Sequence, residues 1–240
     1  MRRNSVISLI LTSLCGVLSF ITALQDLEAQ TVKAARRHYR YLPICDSYTI
    51  GEGLPEASRW PNQLIVGLKE AGIDVELLDN PARTGWTTQD AIEFELPLAK
   101  KAKPDFITLL IGVNDWVQGV DAVDFRKRII TLLEGLQAAL APQGTMIVVS
   151  IPDFSSTSLG KIFASGRDIR KGLARFNQIL SDEASKRRIE VVDIFDLSRR
   201  LNAEAGMVSE DGLHPSGLQY EEWTKRILPA VKRKLIPEPA

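Results

Sequence analysis

Histidine is the scarcest reactive side chain in this sequence, with two among 240 residues, His38 and His214. Cysteine is as rare, at Cys15 and Cys45 only. Transition-metal sites are built from clustered His and Cys, so no metal is implied. With Cys15 inside an amino-terminal apolar run, the folded part would keep a single thiol and could form no internal disulfide. Nor is there a charge excess: Lys plus Arg and Asp plus Glu are 30 each. That balance speaks against nucleic acid and suits a small or neutral partner. The first turn after an apolar run lacks a Gly-x-Gly-x-x-Gly or Walker pattern, which disfavours a nucleotide- or flavin-binding domain and leaves no cofactor implied.

What is present is an ordinary globular composition, 45% hydrophobic and 25% charged, enough for one sizeable core. The amino terminus differs from the rest. Arg2 and Arg3 precede an apolar run over residues 6–24, after which Asp26 and Glu28 return the chain to water. This reads as a secretory signal with Ala29 as a cleavage point, or as an uncleaved anchor, since the run is close to the roughly 18–20 residues that cross a bilayer. Leu14 before Cys15 argues against lipoprotein processing. The expected organisation is a signal peptide or membrane anchor over 1–29, a polar, basic linker over 30–40, and one domain over 41–240, exported or tethered through its amino terminus.

Within that domain, short apolar runs alternate with helical patterns. Strands are expected at residues 41–44, 75–78, 106–111, 146–151 and 190–194. A helix begins near Pro61 with Leu64, Leu68 and Ala71 on one stripe. Another starts at Thr87, with Asp90 placed for a capping box, Ala91, Phe94 and Leu98 facing inward, and Pro97 as a kink. Further helices are expected over 123–140, 168–186, 197–205 and 217–235. Residues 152–166 are rich in Ser and Gly without a period, and read as the rim of a substrate cleft or as a surface insertion. This alternation predicts an α/β fold: a single three-layer α/β/α domain with a five-stranded parallel sheet in the flavodoxin-like order 2-1-3-4-5. Strands one and three are then neighbours where the winding reverses, the crevice in which such sheets bind ligands.

Ser47 follows the first strand and Asn114 the third. A serine hydroxyl is a poor nucleophile until a base takes its proton. His214 is the one usable base, and Asp211, three residues before it, can orient its imidazole; the alternative for Asp211 is a turn-forming carboxylate. The Asn114 amide can donate to a developing oxyanion, or the residue can cap a helix. Asp115 reads as such a cap, Asp46 as a side chain holding the Ser47 turn through backbone amides, and Cys45 as a small buried thiol. Trp86 and Trp116 flank these positions and line a pocket or pack in the core.

Asp46-Ser47, Gly85 in Arg83-Thr84-Gly85-Trp86, Asn114 in Gly-Val-Asn-Asp, and Asp211 with His214 together resemble the motif blocks of the SGNH (GDSL-type) serine hydrolases. The likeness covers roughly residues 41–235. It implies an ester hydrolase with Ser47, His214 and Asp211 as triad, and an oxyanion hole from the Ser47 and Gly85 amides and the Asn114 side chain. It also implies substrates among small-molecule, glycan or lipid esters. The family usually has Gly before the Asp-Ser pair, and here it is Cys45. Carbohydrate O-deacetylation by the same chemistry, and a catalytically silent binding domain on the same fold, are the alternatives.

Overall fold

Five apolar segments pair into one parallel sheet in the order β2-β1-β3-β4-β5, as the alternation predicts. The computed structural model describes residues 38–236. The expected leader or anchor, Ala29, Cys15 and linker residues 30–37 lie outside the described residues. In chain order the elements are β1 (Tyr39–Cys45), α1 (Ser47–Ile50), α2 (Trp60–Glu70), β2 (Val75–Leu77) and a composite helix α3. The last runs from Thr88–Asp90 through a π-helical turn, Ala91–Glu95, into Leu96–Ala102. Then come β3 (Phe106–Leu110), α4 (Val113–Val117), α5 (Ala122–Ala139), β4 (Thr145–Val149), α6 (Gly160–Ala164), α7 (Ile169–Lys186), β5 (Glu190–Val192), α8 (Phe195–Leu201) and α9 (Gly217–Leu235).

All five residues of β3 are buried, which is why that segment is nearly all apolar rather than alternating, its one hydroxyl, on Thr108, being paired with Tyr41 at 2.7 Å. Right-handed crossovers decide the faces. The connection from β1 back to β2 carries α2 on one side, where α9 packs against it; the three connections running the other way put α3, α5 and α7 on the opposite side, in contact in that order. Side chains cap several helices, at Thr87 as the sequence predicts. Thr87 and Asp90 form a reciprocal capping box, and Asp168 and Ser216 accept from the first turns of α7 and α9.

Three expectations are corrected. β1 begins at Tyr39 rather than residue 41, because Tyr39 and Arg40 pair with Val75 and Glu76 of β2. In α3 the residues expected to face inward, Phe94 and Leu98, are 52% and 43% exposed, whereas Glu95 and Leu96 are buried. The π-turn adds a residue to one turn and rotates the following face, and Pro97 sits in the first turn of the α-helical part, where its missing N–H is tolerated. Third, residues 152–166 contain α6, and Asp153, Phe154, Thr157 and Gly160 within them are buried. His38, just before β1, bonds Asp74 and Glu76 at 2.9 and 3.0 Å, at the opposite end of that strand from Ser47.

The contact of α7 with α4 depends on one missing side chain. A Cβ at Gly172 would lie 1.7 Å from Nε1 of Trp116, a ring also held by the Arg167 guanidinium 4.2 Å from its centre. Gly172→Ala is therefore expected to lower unfolding free energy by about 1–3 kcal/mol in urea titrations and to shift tryptophan emission. A change in neither would contradict the packing described.

Candidate active site

The site is assembled at the carboxyl edge of the sheet, from the segments that follow β1, β3 and β5. Asp46 is the first residue beyond β1; its side chain accepts from Tyr48 N–H at 3.0 Å and caps α1, so that Ser47 occupies the first helical position. That is the role its position predicts. Ser47 Oγ lies 3.0 Å from Nε2 of His214, although the two residues are 167 apart in sequence.

His214 comes from a tight turn before α9. Ser209 N–H donates to His214 O at 2.8 Å, and an isolated bridge joins Val208 to Pro215. Asp211 is folded back into this turn: its Oδ1 accepts from Leu213 N–H, His214 N–H and Ser209 Oγ, at 2.8, 2.9 and 2.7 Å. Its Oδ2 is 2.6 Å from His214 Nδ1. Burial alone would raise the Asp211 carboxyl, but the hydrogen bonds from His214, Leu213 and Ser209 outweigh it and hold it down at about 2. The carboxylate is therefore ionised at neutral pH and suited to accept from the ring at Nδ1, which turns Nε2 toward the serine hydroxyl. Gly212 makes the turn possible. Its φ is +71°, and a Cβ there would meet Ser158 Oγ at 2.5 Å.

The three expected oxyanion donors approach the same edge. Gly85 adopts φ +84° in an exposed loop where a Cβ would meet nothing within 4 Å, so the backbone conformation, not crowding, calls for glycine. Among the described residues no acceptor engages the N–H of Ser47 or Gly85. Asn114 does not cap α4, whose cap position is Gly112. Its side-chain nitrogen donates to Trp86 O at 2.9 Å and to Asp46 Oδ2 at 3.3 Å, tying the segments after β1 and β3 and the Gly85 loop together.

The sequence profile of the GDSL-like lipase/acylhydrolase family matches residues 46–221, which include every one of these positions. The chain belongs to that family. Among solved structures, TesA superimposes with a TM-score of 0.66 at 19% identity, covering 81% of this chain and 99% of TesA. The lipase/acylhydrolase from Enterococcus faecalis gives 0.65 at 19% identity, over 84% of this chain and 100% of its own. The acetyl xylan esterase AlAXEase gives 0.65 at 17% identity, over 80% and 99%. At these identities the structures speak to the fold, the SGNH hydrolase arrangement of a five-stranded parallel sheet. No curated protein sequence matches the chain.

Several residues of this GDSL-family site were not apparent beforehand. Ser158 Oγ and Leu159 N–H both donate to Gly212 O, at 3.0 and 3.1 Å, so the segment read as a cleft rim or a surface insertion buttresses the Asp211 turn. Tyr48 packs its ring 5.3 Å from the imidazole. Glu95 is wholly buried and accepts from Cys45 N–H at 3.0 Å. Asp115 is no helix cap; it accepts from Thr88 N–H and Oγ1 and pairs with Arg128 at 3.5 Å, joining α4 to the start of α3. Trp116 is core, and Trp86 is half-buried, stacked on Phe94. A groove of about 740 Å³ between α2 and α9 includes none of Ser47, His214 and Asp211. Among the described residues no group of three or more His, Cys, Asp or Glu could hold a metal ion.

Burial pushes the Cys45 thiol well up and leaves it inaccessible. With Cys15 changed to Ser so that one thiol reports, Cys45 should resist a water-soluble thiol reagent in the native protein and react only on unfolding; rapid native labelling would contradict its burial. Burial also raises Asp46 from the ordinary carboxyl value to about 7. The native state then holds a proton that the unfolded state has released, so this group's contribution falls as pH rises from about 4 to about 7. Asp46→Asn should flatten the slope of unfolding free energy between pH 4.5 and 7, read from urea titrations; an unchanged slope would refute the assignment.

Proposed function

We propose that the protein is a serine esterase acting on short-chain acyl esters through Ser47, His214 and Asp211. The observation that carries this reading is the unbroken line from Asp211 Oδ2 to His214 Nδ1 at 2.6 Å and from His214 Nε2 to Ser47 Oγ at 3.0 Å. Such a line lets one imidazole move a proton in both directions. As Ser47 Oγ attacks the ester carbonyl, its proton passes to Nε2, and the ionised Asp211 stabilises the imidazolium. His214 then returns the proton to the departing alcohol, leaving an acyl group on Ser47. A water molecule repeats the sequence, giving its proton to Nε2, and Ser47 Oγ leaves with that proton as the acid departs.

The negative oxygen formed at each attack needs donors aimed at it. We assign these as the Ser47 and Gly85 N–H groups, which no acceptor among the described residues engages, and the Asn114 amide. Of the two bonds Asn114 makes, the longer one to Asp46 is the one an oxyanion would displace.

One observation favours a second reading, a carbohydrate O-deacetylase with the same machinery. The half-buried Trp86 follows Gly85 directly and its backbone oxygen accepts from the Asn114 side chain, and AlAXEase, with the same fold, is an acetyl xylan esterase. Release of acetate from acetylated glycans separates the two. Export or membrane tethering is proposed from residues 1–29 alone.

A chromogenic acetate ester tests the mechanism. Ser47→Ala should lose at least about 10³-fold in kcat while remaining folded, and Asp211→Asn about 10²–10⁴-fold, because an amide no longer dictates the imidazole tautomer. Equal rates for wild type and Ser47→Ala would sink the assignment.

A further inference from the structure

Along a parallel strand alternate N–H groups face the same neighbour. In β1 those of Tyr39, Tyr41 and Cys45, with the nitrogen of Pro43, face β2. Tyr39 N–H donates to Asp74 O, and the pairing ends at Tyr41 with Leu77, closed by Leu78 N–H on Tyr41 O. Beyond Tyr41, β1 has no strand on that side, although it continues to Cys45 beside β3. Pro43 meets this gap without a donor, since proline has no N–H. Cys45 has one, and Cys45 is completely buried, so the amide must find an acceptor within the protein.

The acceptor is Glu95 Oε1 at 3.0 Å. Glu95 reaches it because the π-turn over Ala91–Glu95 turns this side chain under the sheet edge while Phe94 faces outward. Its Oε2 has no partner among the described residues, and the groups facing it are Cys45 and Asp46 from the nucleophile segment and Asp90 from its own helix. The bonds continue toward the reacting serine. Cys45 Sγ lies 3.4 Å from Asp46 Oδ1, which also takes the Tyr48 N–H, and Asp46 Oδ2 meets Asn114.

We propose that Glu95 is a positioning residue for the nucleophile turn: by accepting the Cys45 N–H where β1 has lost its β2 neighbour, it sets the direction in which the chain leaves the sheet into Ser47. This rests on the reading of Ser47 as nucleophile. Burial raises the Glu95 carboxyl well above its ordinary value, and its bond to the Cys45 N–H needs only an accepting oxygen, which a side-chain amide also carries. The accepting oxygen rather than a charge is then what matters, and glutamine should replace it where methionine of similar length cannot.

The test compares full-length wild type, Glu95→Gln and Glu95→Met, each shown folded by circular dichroism. For the acetate ester, Glu95→Met should lose about 10–100-fold in kcat with KM within about 2-fold, the signature of a displaced reacting group. Glu95→Gln should stay within about 3-fold of wild type. Hydrogen exchange of the Cys45 amide, read by NMR, should be slow in wild type and Glu95→Gln and at least about 10-fold faster in Glu95→Met. Wild-type kcat in Glu95→Met, a loss that glutamine does not rescue, or a Cys45 amide equally protected in all three overturns the proposal. If wild type hydrolyses no ester, the esterase reading has failed, the positioning role falls with it, and the exchange pattern still tells whether Glu95 holds the Cys45 amide.

Discussion

A parallel sheet sends every segment that follows a strand to the same edge, and reversal of the winding between β1 and β3 opens that edge at one place. Everything else in the site depends on this arrangement. Ser47 and Asn114 need only stand at the ends of adjacent strands to come together, and Asn114 then closes the gap by bonding both Asp46 and Trp86. His214 arrives from much farther along the chain. Its turn has to be fixed independently, and the three donors on Asp211 Oδ1, with the Ser158 and Leu159 bonds to Gly212, supply that rigidity.

Burial then divides the carboxylates of this edge into two kinds. Asp46, Glu95 and Asp115 are removed from water, and each is pushed up from its ordinary value, Asp46 to about 7. Asp211 stays partly solvated, collects four donors and is drawn down to about 2. The same kind of group therefore furnishes buried structural acceptors, each raised from its ordinary value, around the nucleophile and one fixed negative charge beside the imidazole. Only that charge lies in line with the proton's path between Ser47 and His214, where it favours the imidazolium that the proposed mechanism forms.

Cys45, where the resemblance leads one to expect glycine, is accommodated without disrupting this geometry. The strand runs through it, paired with Leu110, and its side chain is completely enclosed beside Asp46. The turn after it retains its cap, its helical Ser47 and the approach of His214. Nothing in the site's geometry has the character of a degraded turn.

Much of this was legible in the chain alone. Alternation of apolar runs with helical stripes determined the α/β class and the parallel sheet, because period and handedness leave few arrangements, and the flavodoxin-like order expected for it is the one observed. The scarcity of histidine singled out His214, and the three-residue spacing of Asp211 marked its partner. The local pattern also placed the capping box of Thr87 and Asp90, which involves neighbours in sequence. What the tertiary structure decided is what depends on partners distant in sequence. Phe94 and Leu98 look like the inward face of α3 under a regular helical period, but the π-turn rotates that face and buries Glu95, whose partner, the Cys45 amide, lies 50 residues away. Asp115 reads as a helix cap locally and instead bonds Thr88 across the fold. Residues 152–166 lack a period and look unconstrained, yet they are held by a carbonyl at Gly212. Hydrophobic periodicity records which side of an element meets the core; the pairing of a single buried polar group is written in no period, and only the folded chain assigns it.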